Sequence, residues 1–468
     1  MSESFDLVVI GAGPAGEKGA VQAAYFGKRV AIVEKEPTPG GAAVHTGTLP
    51  SKTLRESALY LSGYRARDLY GIAVELEPDA TLPRLMARKT AIAQAEAEQM
   101  RANLERHGVE IVYGRARLLD GHRVQVVQPD GTSRLLEGRY VLLATGSVPR
   151  RPEDIDFDDT HVHDSDEILT LERLPRSLVV LGGGVIGCEY ACMFAALGVR
   201  VTLVDTRPQI LPFLDAEIVQ RLCEAMGRLG IEMRLGRRWE RVARQGERIV
   251  CELSGGERLE SEDVLFAAGR VGATAGLGLE EVGVRCDARG YVVVDECFRT
   301  SVPTVLAAGD VVGFPMLAST AMEQARVAVC RAFGFAYKQT MASLLPYGIY
   351  TIPECSAVGE TEQGCRDKGI AYVAGRALYR DNARGKITGD LEGITKLVVA
   401  AADRRVLGVH VVGERASELV HIGQAVIAMG GTVDVFIDMV FNYPTLAESY
   451  KYAAYDCLRQ LATRSAVR

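Results

Sequence analysis

A chain of 468 residues is long enough for about two to four domains, each with its own hydrophobic core. Hydrophobic residues make up 48% and charged residues 24%, the proportions of an ordinary soluble globular protein. The formal net charge of −6 gives no reason to expect a nucleic-acid partner, and no apolar run approaches the ~20 residues that cross a bilayer.

The N-terminus, MSESFDLVVIGAG, enters a strand almost at once, with no basic start or cleavage site, so no signal peptide is expected. The segment FDLVVIGAGPAGEKGAVQAAYFGKRVAIVEK predicts a strand, a glycine-rich turn, an Ala-rich helix and a second strand closed by an acid. Residues 80–107 predict one long helix ended by Gly108. Strands with a turn at QPDGT follow, and then a strand through YVLLATGSVPRRP. The opening pattern then repeats as SLVVLGGGVIGCEYACMFAALGVRVTLVDT. ERIVCELSGGERLE predicts a hairpin, VLFAAGR and TVLAAGD predict short strands ending in Gly, and a mixed region with strands near KLVVAA and VLGVHVVG begins at about residue 346.

The duplicated pattern carries a mechanism. Gly11, Gly13 and Gly16, like Gly182, Gly184 and Gly187, are spaced for a tight turn, a close backbone approach to a pyrophosphate, and helix-on-strand packing. A pyrophosphate is then favoured at the helix N-terminus, where free N–H groups and the macrodipole meet it. Glu34 follows Gly16 by 18 residues and Asp205 follows Gly187 by the same interval, each set to accept from a ribose hydroxyl. One such fingerprint is weak evidence; two in full strand and helix context predict two dinucleotide sites. Asp205 favours the 2′-hydroxyl of NAD(H), whereas Arg207 suits the 2′-phosphate of NADP(H).

GAGPAG, GGAAVHTGTLPSK, ATGSVPR, GGGVIGCEY, AAGR and AAGD together resemble the two-dinucleotide-binding-domain flavoproteins, the pyridine nucleotide-disulfide oxidoreductases, over essentially the whole chain. The resemblance implies an α/β fold with two Rossmann-like domains and a C-terminal α+β dimerisation domain. The boundaries it implies are 1–149 and 270–345 for FAD, 150–269 for NAD(P), and 346–468 for the interface of a homodimer with shared active sites. It extends the FAD site to Lys35, Gly40, Gly41, Gly114, Thr145, Gly146 and Asp310, and the nucleotide site to Gly269. Lys52 is implied beside the flavin, paired with Glu189.

The departures from that family govern the expected activity. Ala43 and Thr48 stand where the resemblance implies redox thiols, and Tyr443 of FNYPT stands where it implies a histidine base from the partner. Dithiol exchange needs a thiolate and a base to generate it, so disulfide reduction is not expected. Within the family, GT-L-PSK and FNYPT-x-AE-x-Y look most like the soluble pyridine nucleotide transhydrogenases, which implies hydride transfer from NADPH to NAD⁺ through FAD, with Thr48 and Tyr443 lining the site. A quinone or dye reductase using NAD(P)H, and a non-catalytic FAD-binding scaffold, stand as rival readings. His45 is read as a packing residue. Cys188 and Cys192, one helical turn apart, are read as buried core rather than a displaced redox pair. No metal ligand set is expected. Ten cysteines without a CxxC suit the reducing cytoplasm.

Overall fold

The computed structural model describes residues 3–63, 69–71, 78–158 and 160–466. The first unit runs β1 (Glu3–Ile10), α1 (Pro14–Tyr25), β2 (Val30–Glu34), α2 (Gly41–His45), α3 (Thr48–Leu61), α4 (Pro78–Arg106), β3 (Glu110–Tyr113), β4 (Arg115–Leu118), β5 (Arg123–Val127), β6 (Ser133–Leu143) and β7 (Ser147–Pro149). The second runs β8 (Val162–Asp164), β9 (Ser177–Leu181), α5 (Val185–Ala196), β10 (Arg200–Asp205), α6 (Ala216–Arg228), β11 (Glu232–Leu235), β12 (Trp239–Gln245), β13 (Arg248–Leu253), β14 (Arg258–Ser261) and β15 (Asp263–Phe266). The chain then returns to the first unit through β16 (Arg270–Gly272), β17 (Val305–Ala307) and α7 (Ala318–Phe333). It ends with β18 (Tyr347–Ile349), β19 (Cys355–Gly359), α8 (Glu362–Asp367), β20 (Tyr372–Leu378), α9 (Ala383–Thr388), β21 (Ile394–Ala400), β22 (Val406–Val412), α10 (Ala416–Ala428), α11 (Asp434–Asp438) and α12 (Ser449–Ala466).

Two sheets carry the fingerprints. In the first, β3-β2-β1-β6 run parallel, β17 extends the parallel pairing on β6, and β5 and β4 add an antiparallel wing. The central strands are fully buried Val, Leu and Ile, as a sheet covered on both faces requires. The second sheet is parallel throughout, in the order β11-β10-β9-β15-β8. The last region is a five-stranded antiparallel sheet, β18-β19-β22-β21-β20, covered by α10 and α12. The duplication read from the sequence is thus a duplication of structure, and the α/β class holds.

The long helix ends at Arg106, the QPDGT turn joins β5 to β6, and the SGG turn joins β13 to β14. One element differs. The strand expected through YVLLATGSVPRRP breaks: β6 stops at Leu143, and residues 144–146 turn before β7 pairs antiparallel with β16. The sheet dictates the break, because the Ala144 N–H still bonds to the Ile10 carbonyl while the next residues find no neighbouring strand. Thr145 and Gly146 are therefore left at the C-terminal edge of the sheet, where open α/β sheets bind ligands.

Candidate active site

Each fingerprint turns where β1 or β9 ends. Gly11 has φ +99° and Gly182 φ +118°, a region L side chains rarely adopt. A Cβ on Gly16 or Gly187 would be driven into the carbonyl oxygen of Gly11 or Gly182, so only glycine lets helix and strand approach this closely. Gly13 and Gly184 are the N-caps of α1 and α5 in almost the same conformation (φ −77° and −81°). Neither makes a side-chain cap, so first-turn N–H groups remain free for an anion.

The acids close both turns from below. Glu34 is buried and accepts from the N–H of Ala12 at 2.8 Å and of Glu36 at 2.9 Å. Asp205 is buried and accepts from the N–H of Gly183 at 2.5 Å and of Arg207 at 2.7 Å, and it is also gripped by the Arg207 side chain through Nε at 2.9 Å and Nη2 at 2.6 Å. Arg207 holds the Asp205 carboxyl below the usual range even though burial pulls it upward.

The residues implied for FAD converge on the first turn. Gly40 donates to the Ala12 carbonyl and Gly114 to the Glu34 carbonyl, while Gly41 sits against Gly13. Thr145 Oγ1 is buried without a hydrogen-bond partner, which marks a polar position that a ligand would satisfy. Together with the half-free Glu34 carboxylate and the uncapped start of α1, it gives a donor set that fits a dinucleotide. Asp310 lies across the cleft and accepts from Ser147 Oγ at 3.1 Å; burial raises its carboxyl. Lys35 turns outward, half exposed, 3.5 Å from Glu36. Gly269, after β15, and Gly184, after β9, both have open space at their Cβ positions.

The expected pairing of Lys52 with Glu189 is formed. α3 starts after Gly47, and Thr48 and Lys52, four residues apart, lie on one face of its first two turns. Lys52 Nζ lies 2.6 Å from Glu189 Oε2 and 5.0 Å from the centroid of the Tyr350 ring. Glu189 Oε1 accepts from the Tyr350 N–H at 2.9 Å. The carboxylate sits in α5, a helix buried along most of its length, where it could not remain charged without such partners. Ala43 and Thr48 bring no thiol; the first cysteine of the chain is Cys188.

Cys188 and Cys192 are fully buried and unpaired, in the core beneath α5. Burial lifts Cys188 well above its usual range and Cys192 to about 12, so neither is a ready thiolate. His45 Nε2 donates to the Pro39 carbonyl, at 3.0 Å in the loop before α2, which fits its reading as a packing residue. Tyr443 is not drawn into this cluster. It is 74% exposed on the C-terminal region, on a strip that includes Val440 and Tyr452.

Several residues escape sequence reasoning. Arg270 of AAGR is half-buried and ties Ser147, Ser165 and Asp166 together, at 2.8 Å to Ser147 Oγ and 3.2 Å to each of the other two. The motif pointed to the place but not to the role. Arg55 of α3 is buried and donates to the Thr351 carbonyl at 3.0 Å, anchoring the segment that presents Tyr350. Lys396 of β21 is 1% exposed and lies 2.7, 2.9 and 2.5 Å from Asp215, Glu217 and Glu362, a crossing between the second unit and the C-terminal sheet that no local pattern announces.

Two dinucleotide turns on separate parallel sheets, a lysine–carboxylate pair between them and an antiparallel C-terminal sheet define a two-site flavoprotein oxidoreductase. The chain belongs to the pyridine nucleotide-disulphide oxidoreductase family: the family model matches residues 5–325, and the family's dimerisation domain matches residues 345–454. It is similar to proteins called soluble pyridine nucleotide transhydrogenase from Mycobacterium tuberculosis (44% identity over 458 residues, 98% of each chain) and Colwellia psychrerythraea (38% over 463 residues, 98% of this chain and 99% of the other). Among solved structures, it is similar to LpdA from Mycobacterium tuberculosis (30% identity, 96% of this chain and 99% of the other, TM-score 0.89). It is also similar to the HOCl-induced flavoprotein disulfide reductase RclA from Escherichia coli (26% identity, 95% and 98%, TM-score 0.85). These relatives lend no support to a quinone as partner. Among the described residues no helix is long and apolar enough to cross a membrane.

Proposed function

We propose that the protein is an FAD-dependent transhydrogenase that moves a hydride from NADPH to NAD⁺, both nucleotides using the second Rossmann unit in turn. The observation that carries this reading is an intact Lys52–Glu189 pair beside a segment with no thiol. FAD, when bound, takes up and gives back the hydride, so electrons need no further carrier in the protein.

The chain's own residues bind, orient and tune. Gly11, Gly13, Gly16, Glu34, Gly40, Gly41, Gly114, Thr145, Gly146 and Asp310 are assigned to FAD, with Lys35 at the outer edge of that site. Gly182, Gly184, Gly187, Asp205, Arg207 and Gly269 are assigned to the nicotinamide nucleotide. Glu189 holds Lys52 in one orientation, and the Lys52 ammonium supplies fixed positive charge for the flavin. Thr48 lines the same helical face, and Tyr443 is assigned to the neighbouring subunit's site in a homodimer. The FAD domain comprises 1–149 and 270–345, the NAD(P) domain 150–269 and the dimerisation domain 346–468. All ten cysteines are free, in keeping with a cytoplasmic setting.

Anaerobic rapid mixing tests the proposal. NADPH should bleach the flavin without a thiolate charge-transfer band, and NAD⁺ added next should restore its absorbance quickly. Slow restoration by NAD⁺ with immediate restoration by a quinone would replace transhydrogenation with quinone reduction.

A further inference from the structure

A transhydrogenase must admit at one site both a ribose with a free 2′-hydroxyl and one with a 2′-phosphate, two groups that want opposite surroundings. The Asp205 corner is built in a way that bears on this. A carboxylate offers about four acceptor positions. All of those on Asp205 are taken, by the N–H of Gly183, the N–H of Arg207, and Nε and Nη2 of Arg207. With Arg207 in that position, a ribose hydroxyl has no lone pair left to bond. The carboxylate charge is also neutralised, and the remaining Arg207 N–H groups are free to bond outward from a side chain that is 45% exposed.

A second guanidinium stands beside it. Gly236 donates to the Arg207 carbonyl at 2.9 Å and Arg237 to the Asp205 carbonyl at 3.0 Å, which carries the β10–β11 pairing on past both strands and fixes Arg237 next to the acid. The Arg237 side chain is exposed, has no carboxylate partner among the described residues, and reaches only the Ser254 carbonyl, at 3.3 Å. Arg238, by contrast, is 3.6 Å from Glu240. Arg237 is therefore the uncommitted cation at this corner.

We propose that Arg207 is a two-position clasp that switches the site between the two nucleotides, with Arg237 as the second ligand for the 2′-phosphate. Closed on Asp205, Arg207 cancels the carboxylate and, with Arg237, receives a phosphate through charge-assisted bonds. Swung away, it frees Asp205 to accept the 2′-hydroxyl of NAD(H), and a phosphate is then repelled. The inference rests on both nucleotides sharing the second Rossmann unit, as in the proposed function.

Calorimetric titration of the FAD-loaded enzyme with NAD⁺ and with 2′,5′-ADP tests it independently of turnover. Arg207→Ala should weaken 2′,5′-ADP by about tenfold or more and tighten NAD⁺ by a few-fold, because the competitor for Asp205 is gone. Arg237→Ala should weaken 2′,5′-ADP about tenfold and leave NAD⁺ unchanged. Asp205→Asn should shift preference toward 2′,5′-ADP. If Arg207→Ala leaves NAD⁺ binding unchanged or weaker, Arg207 is a fixed phosphate ligand and the clasp is wrong. If Arg237→Ala leaves 2′,5′-ADP unmoved, Arg237 is no ligand. Either result leaves transhydrogenation standing, since the flavin bleaching and recovery of the wild-type enzyme test that separately.

Discussion

The two Rossmann units agree down to single hydrogen bonds and then diverge two residues beyond their acids. Gly11 donates to Val33 and Gly182 to Val204, both at 2.8 Å, and each acid reaches back to the backbone N–H of its own glycine turn. In the first unit the neighbouring cation, Lys35, turns away to Glu36 and leaves two acceptor positions of Glu34 open. In the second, Arg207 occupies the rest of Asp205. An open, uncompensated acid suits one resident ligand with ribose hydroxyls. An acid under a movable cation suits ligands that come and go and differ at that carbon. On the proposed assignment, the same scaffold serves retention in one copy and exchange in the other.

The sharpest break between the copies should come from their packing glycines. Gly16→Ala and Gly187→Ala place a methyl against the same backbone carbonyl in each turn. The first should give protein purified with little or no flavin, measured from its absorbance at a fixed protein concentration. The second should keep its flavin and lose reduction by NADPH almost completely. Equal flavin loss in both would mean that the units are not divided between cofactor and substrate.

Lys52 lies between the units and should matter to transfer rather than to retention. Lys52→Ala removes the cation on Glu189 and leaves a buried carboxylate held only by the Tyr350 N–H. Flavin content should stay near that of the wild type, while the rate of flavin reduction falls by about a hundredfold or more, the scale of losing one preorganised electrostatic contact. Unchanged reduction kinetics would remove Lys52 from its assigned role.

Much of this was legible because the fingerprints are local. Turn, helix and acid lie within one stretch of chain, and the glycine constraints depend on backbone only a few residues away. The Lys52–Glu189 pair was legible through resemblance, since the two lie 137 positions apart and no pattern in the chain between joins them. What stayed hidden is set by chain crossings. Lys396 reads as the one charged residue of a largely apolar strand until α6 and α8 bring three carboxylates to it. Arg55 reaches the Thr351 carbonyl, and Lys52 the Tyr350 ring, only because the C-terminal region folds over α3. The break after Leu143 was missed because the residues on either side have strand-like composition, and the absence of a pairing strand decides against them. The saturation of Asp205 is half visible: Arg207 reads as a phosphate ligand in the sequence, but its grip on the acid depends on side-chain geometry.

The smallest effect expected is that of pH on the choice between nucleotides, and it separates the two partners of the clasp. Burial alone would raise Asp205, but Arg207 and the two backbone N–H groups outweigh it and hold the carboxyl below its usual range. A group depressed in the folded state contributes its full stabilisation above its unfolded value, about 3.9, and loses it only as pH falls through the lower folded value. The clasp is therefore charged throughout pH 5.5 to 8.5, and NAD⁺ affinity should be flat across that range. The 2′-phosphate itself takes up a proton near pH 6, so NADP⁺ affinity should fall by about threefold to fourfold between pH 8 and 5.5. Titration of both nucleotides across that range checks the pair of outcomes. A bend in the NAD⁺ profile would place a titrating group other than Asp205 at the ribose, whereas a flat NADP⁺ profile would take the phosphate charge out of recognition.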